Sequence, residues 1–288
     1  MTDEKVKSLS DFLARVSQLR DEWRLEDKKE LWFRGETSRY TTSLRPTLYR
    51  PKRKSPHSLE ELPLKPIREL LEIESDLYDE FKREAVQLCD AQATKDDWDW
   101  DAYFLMQHHG APTRLLDWSD GALLSLHFAL RDKEDGDATD AVVYVLEPYR
   151  LMDKLEALPD RATLVKAWEE HVEKNPDYSL NRNDWDSSYL PSEESLQIPG
   201  PPLLLDFPHI TRRVAAQRSR FMVFGKDHNW LSAETEKADS TIKRLIIDAN
   251  CVSRMRRDLR DAGVTESVIF PDLDGLGREM AQLWRERR

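Results

Sequence analysis

Gln107-His108-His109-Gly110-Ala111-Pro112-Thr113-Arg114-Leu115-Leu116-Asp117-Trp118-Ser119 is the most informative stretch of this 288-residue chain. Positions 103–107 read as the end of a helix. Positions 108–117 read as a loop, punctuated by Gly110 and Pro112. Positions 121–130 then form a strongly apolar helix. Polar Gln107, His108, His109, Thr113, Arg114 and Asp117 stand beside apolar Leu115, Leu116 and Trp118. That mixture predicts a fixed pocket, and loops held on rigid elements carry function disproportionately. A pairing of Arg114 with Asp117 that merely holds the loop in shape fits equally well. Thr113 and the histidines would then remain for a substrate hydroxyl.

Outward from this stretch the pattern alternates between helix and strand. Upstream, positions 8–23 carry an apolar stripe of Leu9, Phe12, Leu13, Val16, Leu19 and Trp23, with Ser8 as cap. Positions 31–35 read as a short buried strand ending in Gly35. Positions 37–65 are broken by four prolines, and Pro66 opens a helix that runs to about Cys89. Downstream, Ala141-Val142-Val143-Tyr144-Val145-Leu146 reads as a strand buried on both faces. Positions 150–200 look like an irregular insertion, with one helix at 161–173. Strands are expected at 203–207, 221–224, 243–248 and 268–270. A helix capped by Asn250 should stop at Gly263, and a last amphipathic helix should cover 273–285. The whole reads as one mixed α+β domain over 1–288.

Composition narrows the possibilities. Nine Trp and nine Phe argue against disorder. A net charge of −11 disfavours broad adhesion to nucleic acid or an anionic membrane. Two cysteines, Cys89 and Cys251, have no CxxC partner and fit a reducing cytoplasm. No apolar run is long enough for a membrane span, and the polar start predicts no signal peptide.

Two sets of residues carry candidate chemistry. Arg34 sits in an apolar strand and needs a partner, since an unpaired buried charge is costly. It is either a structural ion pair with Asp117 or Glu36, or a grip on a ligand phosphate, for which its fork of donors is suited. Gly35 would let that ligand approach the backbone. Arg212, Arg213, Gln217, Arg218 and Arg220 form either a solvated face or an anion clamp. Metal binding by His108 and His109 is disfavoured because adjacent side chains point apart. His127 reads as a core histidine, and no Gly-x-Ser-x-Gly elbow is present.

Four segments together resemble the FRG family: Trp32-Phe33-Arg34-Gly35; the 107–119 stretch running into 122–129; 213–224 with Gln217; and Phe270-Pro271-Asp272-Leu273-Asp274-Gly275-Leu276. The order of these segments is also remotely similar to ADP-ribosyltransferases of the Arg-Ser-Glu type. That resemblance implies a central, mostly antiparallel split sheet flanked by helices. It further implies NAD as substrate, and the FRG resemblance implies a bacterial or phage-related toxin or defence effector; the residues themselves predict a cytoplasmic protein without a metal. The effector would act on nucleic acid or protein and have an antitoxin-type neutralising partner. Under it, Arg34, Thr113, Asp117 and Gln217 are the catalytic candidates. Arg34, Gly35, Gln107, His108, Thr113, Arg114 and Arg213 would bind the dinucleotide. Gln217 departs from the glutamate expected at its place, so Glu36, Asp117 or Asp206 would have to serve. The alternative is a non-enzymatic module that binds a nucleotide, nucleic acid or protein in the same cleft.

Overall fold

The computed structural model describes residues 5–40, 42–52, 61–85, 88, 98–133, 136–156, 200–205 and 215–286. In chain order these give α1 (Leu9–Trp23), β1 (Trp32–Glu36), α2 (Ile67–Ala85), α3 (Trp98–His108), β2 (Leu115–Ser119), α4 (Ala122–Leu130), β3 (Ala141–Leu146) and α5 (Pro148–Glu156). They continue as β4 (Leu203–Leu205), β5 (Ser219–Val223), α6 (Trp230–Thr235), β6 (Ile242–Ile247), α7 (Val252–Asp261), α8 (Glu266–Ile269) and α9 (Leu273–Glu286). The fold is mixed α+β. Its strands form one six-stranded sheet in the order β4-β5-β2-β1-β3-β6, and all five strand pairings are antiparallel.

Strand registers sort side chains onto two faces, because directly opposed residues point the same way. Phe33 lies opposite Ser119, Asp117 opposite Phe221, and Ser119 opposite Ser219, so these residues and Gly35 share one face. Trp32, Arg34, Glu36, Leu116, Trp118 and Met222 point to the other. That second face carries one continuous core, in which Trp32, Leu116, Trp118, Tyr144 and Met222 meet Leu70 of α2, Leu151 and Leu155 of α5, and Leu231 of α6. The first face is covered in two separate pieces. α1, α4 and α7 pack on β1, β3 and β6, where Phe12, Leu126, Ala129 and Met255 meet Phe33, Val143 and Val145. α3 packs on β2, β5 and β4, where Tyr103, Phe104 and Met106 meet Leu115, Phe221 and Leu203. Between the two pieces no apolar cluster among the described residues covers the sheet, and a cleft opens there.

The cleft coincides with the weakest seam in the sheet. β1 and β2 pair only at Phe33 and Ser119, whereas β1 and β3 pair over five residues. Next to that single pair, the Asp117 carbonyl accepts a hydrogen bond from the Arg34 side chain at 2.7 Å.

Several expectations need correction. The stretch 108–117 is not all loop: β2 begins at Leu115, because Leu116 and Trp118 alternate with Leu115, Asp117 and Ser119 across the sheet. Positions 268–270 are not a strand. Glu266–Ile269 is a single helical turn that turns Glu266 and Ile269 inward and leaves Val268 exposed. Asn250 does not cap the seventh helix: Asp248 caps the 3-10 turn Ala249–Cys251 that leads into it, accepting from the Asn250 amide, and the helix's own N-cap residue, Cys251, makes no side-chain cap bond. Gly263 ends it at φ +81°. Ser8 caps α1 by accepting from the Asp11 amide, as expected. The helix expected at 161–173, and most of the insertion expected at 150–200, lie outside the described residues.

Candidate functional site

The cleft measures about 340 Å³, within the usual range of small-molecule sites. β1, β2 and β5 supply its floor with Phe33, Gly35, Asp117, Ser119, Ser219 and Phe221. Gln107 and His108 from the end of α3 form one wall. Ser125 and Phe128 of α4, with Phe270 after α8, form the other. A second hollow of about 330 Å³ lies beside it, lined by Glu36, Thr37, Tyr40, Thr42 and Arg50. Arg34, Gly35 and Phe128 line both.

Arg34 is held from two directions. Its Nε donates to Glu36 Oε1 at 3.1 Å, and its Nη1 donates to the Asp117 carbonyl at 2.7 Å. The side chain remains 15% exposed, and Nη2 bonds to nothing among the described residues. The ion pair and the ligand grip are therefore compatible in one side chain. Glu36 is confined by its other bonds, accepting from the Ser43 hydroxyl at 2.6 Å and from the Leu44 amide at 3.3 Å. It points away from the first cleft and holds Arg34 in place.

Asp117 and Asp132 both line the cleft, and Asp117 is the carboxylate on its floor. Protein surrounds it closely, yet it stays open to solvent through the cleft mouth. Burial pushes its pKa up from the ordinary carboxylate range, while the charge of Arg34, a hydrogen bond from Gln107 and the charge of Arg50 pull it back. Arg50 is a site residue that the sequence did not single out. It lines the second hollow, and both burial and the nearby Arg34 charge lower its pKa. No local pattern marks it, because it lies in a Pro-broken stretch 16 positions beyond Arg34.

Other sequence candidates divide cleanly. Gln107, His108 and Gln217 line the cleft. The Gln217 main-chain carbonyl accepts from the Ser119 hydroxyl at 2.8 Å, while its side-chain Nε2 is buried and bonds to nothing among the described residues. Thr113 and Arg114 do not reach the cleft, and both are fully buried. Thr113 donates to Gln107 Oε1 and accepts from the Leu115 amide, so it is not free for a substrate hydroxyl. Arg114 pairs not with Asp117 but with Glu74 of α2, and Tyr103 donates to the same carboxylate at 2.5 Å. A guanidinium sealed in an apolar layer requires such a partner, which gives Arg114 a structural role. Gly35 serves packing more than ligand approach: the backbone of α4 occupies the space above it. Arg218 and Arg220 pair with Asp120, and Arg220 also pairs with Glu30, which removes half of the expected anion clamp. Arg212, Arg213 and Asp206 lie outside the described residues. His127 Nε2 donates to Glu266 Oε2 at 3.0 Å, a satisfied histidine. Among the described residues, no group of three His, Cys, Asp or Glu is placed to hold a metal, and no helix is long and apolar enough to cross a membrane.

A single α+β sheet whose two-piece helical cover leaves a polar cleft over β1, β2 and β5 defines the class of this protein. The FRG domain family model matches residues 29–138. That match runs from before β1 to beyond α4 and includes Arg34, Gln107 and Asp117, while β5 and Phe270 complete the cleft from outside it. No curated protein and no solved structure matches the chain.

Proposed function

We propose that this protein is an NAD-dependent ADP-ribosyltransferase whose active centre is the cleft at the β1–β2 seam. The observation that carries the reading is a pair of neighbouring hollows that share Arg34 in their lining. A dinucleotide has two bulky ends and an anionic waist, and here an arginine with a nitrogen to spare lines two spaces of similar size. Arg34 would hold the pyrophosphate, with Arg50 beside it. In the larger hollow, the C–N glycosidic bond breaks and nicotinamide leaves with the bonding electron pair. Positive charge develops on the ribosyl carbon, and the Asp117 carboxylate stabilises it from the cleft floor. An acceptor nucleophile then bonds to that carbon and gives up its proton. Asp117 fills the need that the neutral Gln217 leaves, since Glu36 is committed to Arg34.

The acceptor is a macromolecule, and charge favours protein over nucleic acid. The chain carries −11, and Arg218 and Arg220 are neutralised by Asp120 and Glu30. A role as a cytoplasmic toxin or defence effector, restrained by a neutralising partner, fits such an activity.

The decisive experiment incubates the protein with labelled NAD and cell extract and measures nicotinamide release and label transfer. Wild type should release nicotinamide, and Asp117→Asn should be slower by about 100-fold or more. The second reading, a nucleotide-binding module without chemistry, is favoured by Gln217 in place of a glutamate. It predicts NAD binding by calorimetry without turnover. Neither binding nor turnover would end the dinucleotide reading altogether.

A further inference from the structure

We infer that Gln107, locked by Thr113, is a positioning residue that orients the Asp117 carboxylate and keeps it ionised. This inference deepens the transferase reading and takes its catalytic meaning from it. It starts from three side chains in a row. Thr113 donates its hydroxyl to Gln107 Oε1, and Gln107 Nε2 donates to Asp117 Oδ2 at 2.7 Å.

The polarity of this row is fixed at the carboxylate end. The Thr113 oxygen accepts from the Leu115 amide at 3.2 Å through one lone pair, and its hydroxyl proton can be donated onward. An ionised carboxylate can only accept. Gln107 must therefore present its oxygen to Thr113 and its NH2 group to Asp117, and it has no second orientation that satisfies both. Thr113 cannot move to allow another, being fully buried, with its carbonyl accepting from the Leu48 amide at 3.2 Å.

The row answers a difficulty of the site. Asp117 is crowded by protein, and burial favours its protonated form. A protonated carboxyl cannot stabilise a developing cation. Charge from Arg34 and Arg50 opposes protonation, and so does the Gln107 hydrogen bond, which engages Oδ2 and leaves Oδ1 without a side-chain donor among the described residues. No other side chain among the described residues donates a hydrogen bond to the Asp117 carboxylate.

The test reads Asp117 directly. With 13C-labelled aspartate, the Asp117 carboxyl resonance, assigned by its loss in Asp117→Asn, is titrated in wild type, Gln107→Leu and Thr113→Val. In Gln107→Leu, which preserves shape and removes the donor, the midpoint should move to higher pH. In Thr113→Val, which frees the amide to rotate, it should move the same way by a smaller amount. Gln107→Glu, which replaces the donor with a second acceptor, should move it furthest. Circular dichroism confirms that each variant is folded. Unchanged midpoints in folded Gln107→Leu and Gln107→Glu would overturn the inference. If the midpoints move but wild type releases no nicotinamide, the row stands and the transferase reading falls. If both hold, the acidic limb of the rate profile should shift upward with the midpoint in Gln107→Leu.

Discussion

Gly35 lies directly beneath Ser125: a Cβ built on Gly35 would stand 1.9 Å from the Ser125 carbonyl oxygen and 2.6 Å from the Ala129 amide. β1 and α4 thus touch backbone to backbone, which seats Ser125 and Phe128 at the cleft wall. Gly35→Ala cannot be accommodated by turning a flexible side chain, because the obstructing atoms are main chain. Overpacking of this kind costs about 1–3 kcal/mol. Chemical denaturation should show that loss, with NAD binding weakened in the fraction that stays folded.

Arg114 and Glu74 make a second testable contact. Both side chains are fully buried, and the Glu74 carboxylate also accepts from Tyr103 and from the Arg114 amide at 2.7 Å. Arg114→Met leaves an uncompensated buried carboxylate and should cost about 3–5 kcal/mol. The double variant with Glu74→Gln should cost less than the sum of the two singles, because they share one interaction. Additive losses in urea titrations would contradict the pairing.

Glu266 ties the C-terminal helices to α4. Burial alone would raise its pKa, but bonds from His127 and Arg278 and the charge of Arg131 pull it down to about 2. A depressed carboxylate stabilises the folded state above its unfolded pKa, and that stability disappears as pH falls through the folded value. Glu266→Gln should therefore be less stable than wild type at pH 7 by about 3 kcal/mol. The gap should close between pH 4.5 and about 2. Melting curves across that range check both sign and window.

Asp117 has the opposite sign. Its raised pKa means the folded state holds the proton more tightly than the unfolded chain does. Ionisation thus costs stability as pH rises above the unfolded value of 3.8. Asp117→Asn should melt higher than wild type at pH 7 and no higher at pH 3, while losing activity. Such an exchange of stability for function is common at active sites. A variant that melts lower at pH 7 would show that the carboxylate is structural.

How much was legible is clearest at the level of particular residues. The run at 141–146 could only be a strand buried on both faces, and β3 is that, with every residue buried. Arg34 announced itself as a charge in an apolar strand. The 107–119 stretch announced a pocket through its mixture of polar and apolar residues. Local pattern sufficed because burial and strand alternation are written in neighbouring residues. The same stretch did not say which of its polar side chains turn inward. Thr113 and Arg114 close on Gln107 and Glu74 in the interior, while Gln107 and Asp117 face the cleft. Glu74 lies 40 positions from Arg114, and Arg50 meets Arg34 only through the folding of an irregular segment.

Sequence by itself determined most of the strands and the longer helices, the mixed α+β class, and the two stretches, 32–35 and 107–119, from which the site is built. Tertiary structure alone decided that β1 and β2 meet at one residue pair, that the helical cover parts above that seam, and which arginine of the set stands in the gap. The reason is physical: hydrophobic periodicity is a property of neighbours along the chain, whereas a charge finds its partner, and a cleft its walls, only when distant segments pack.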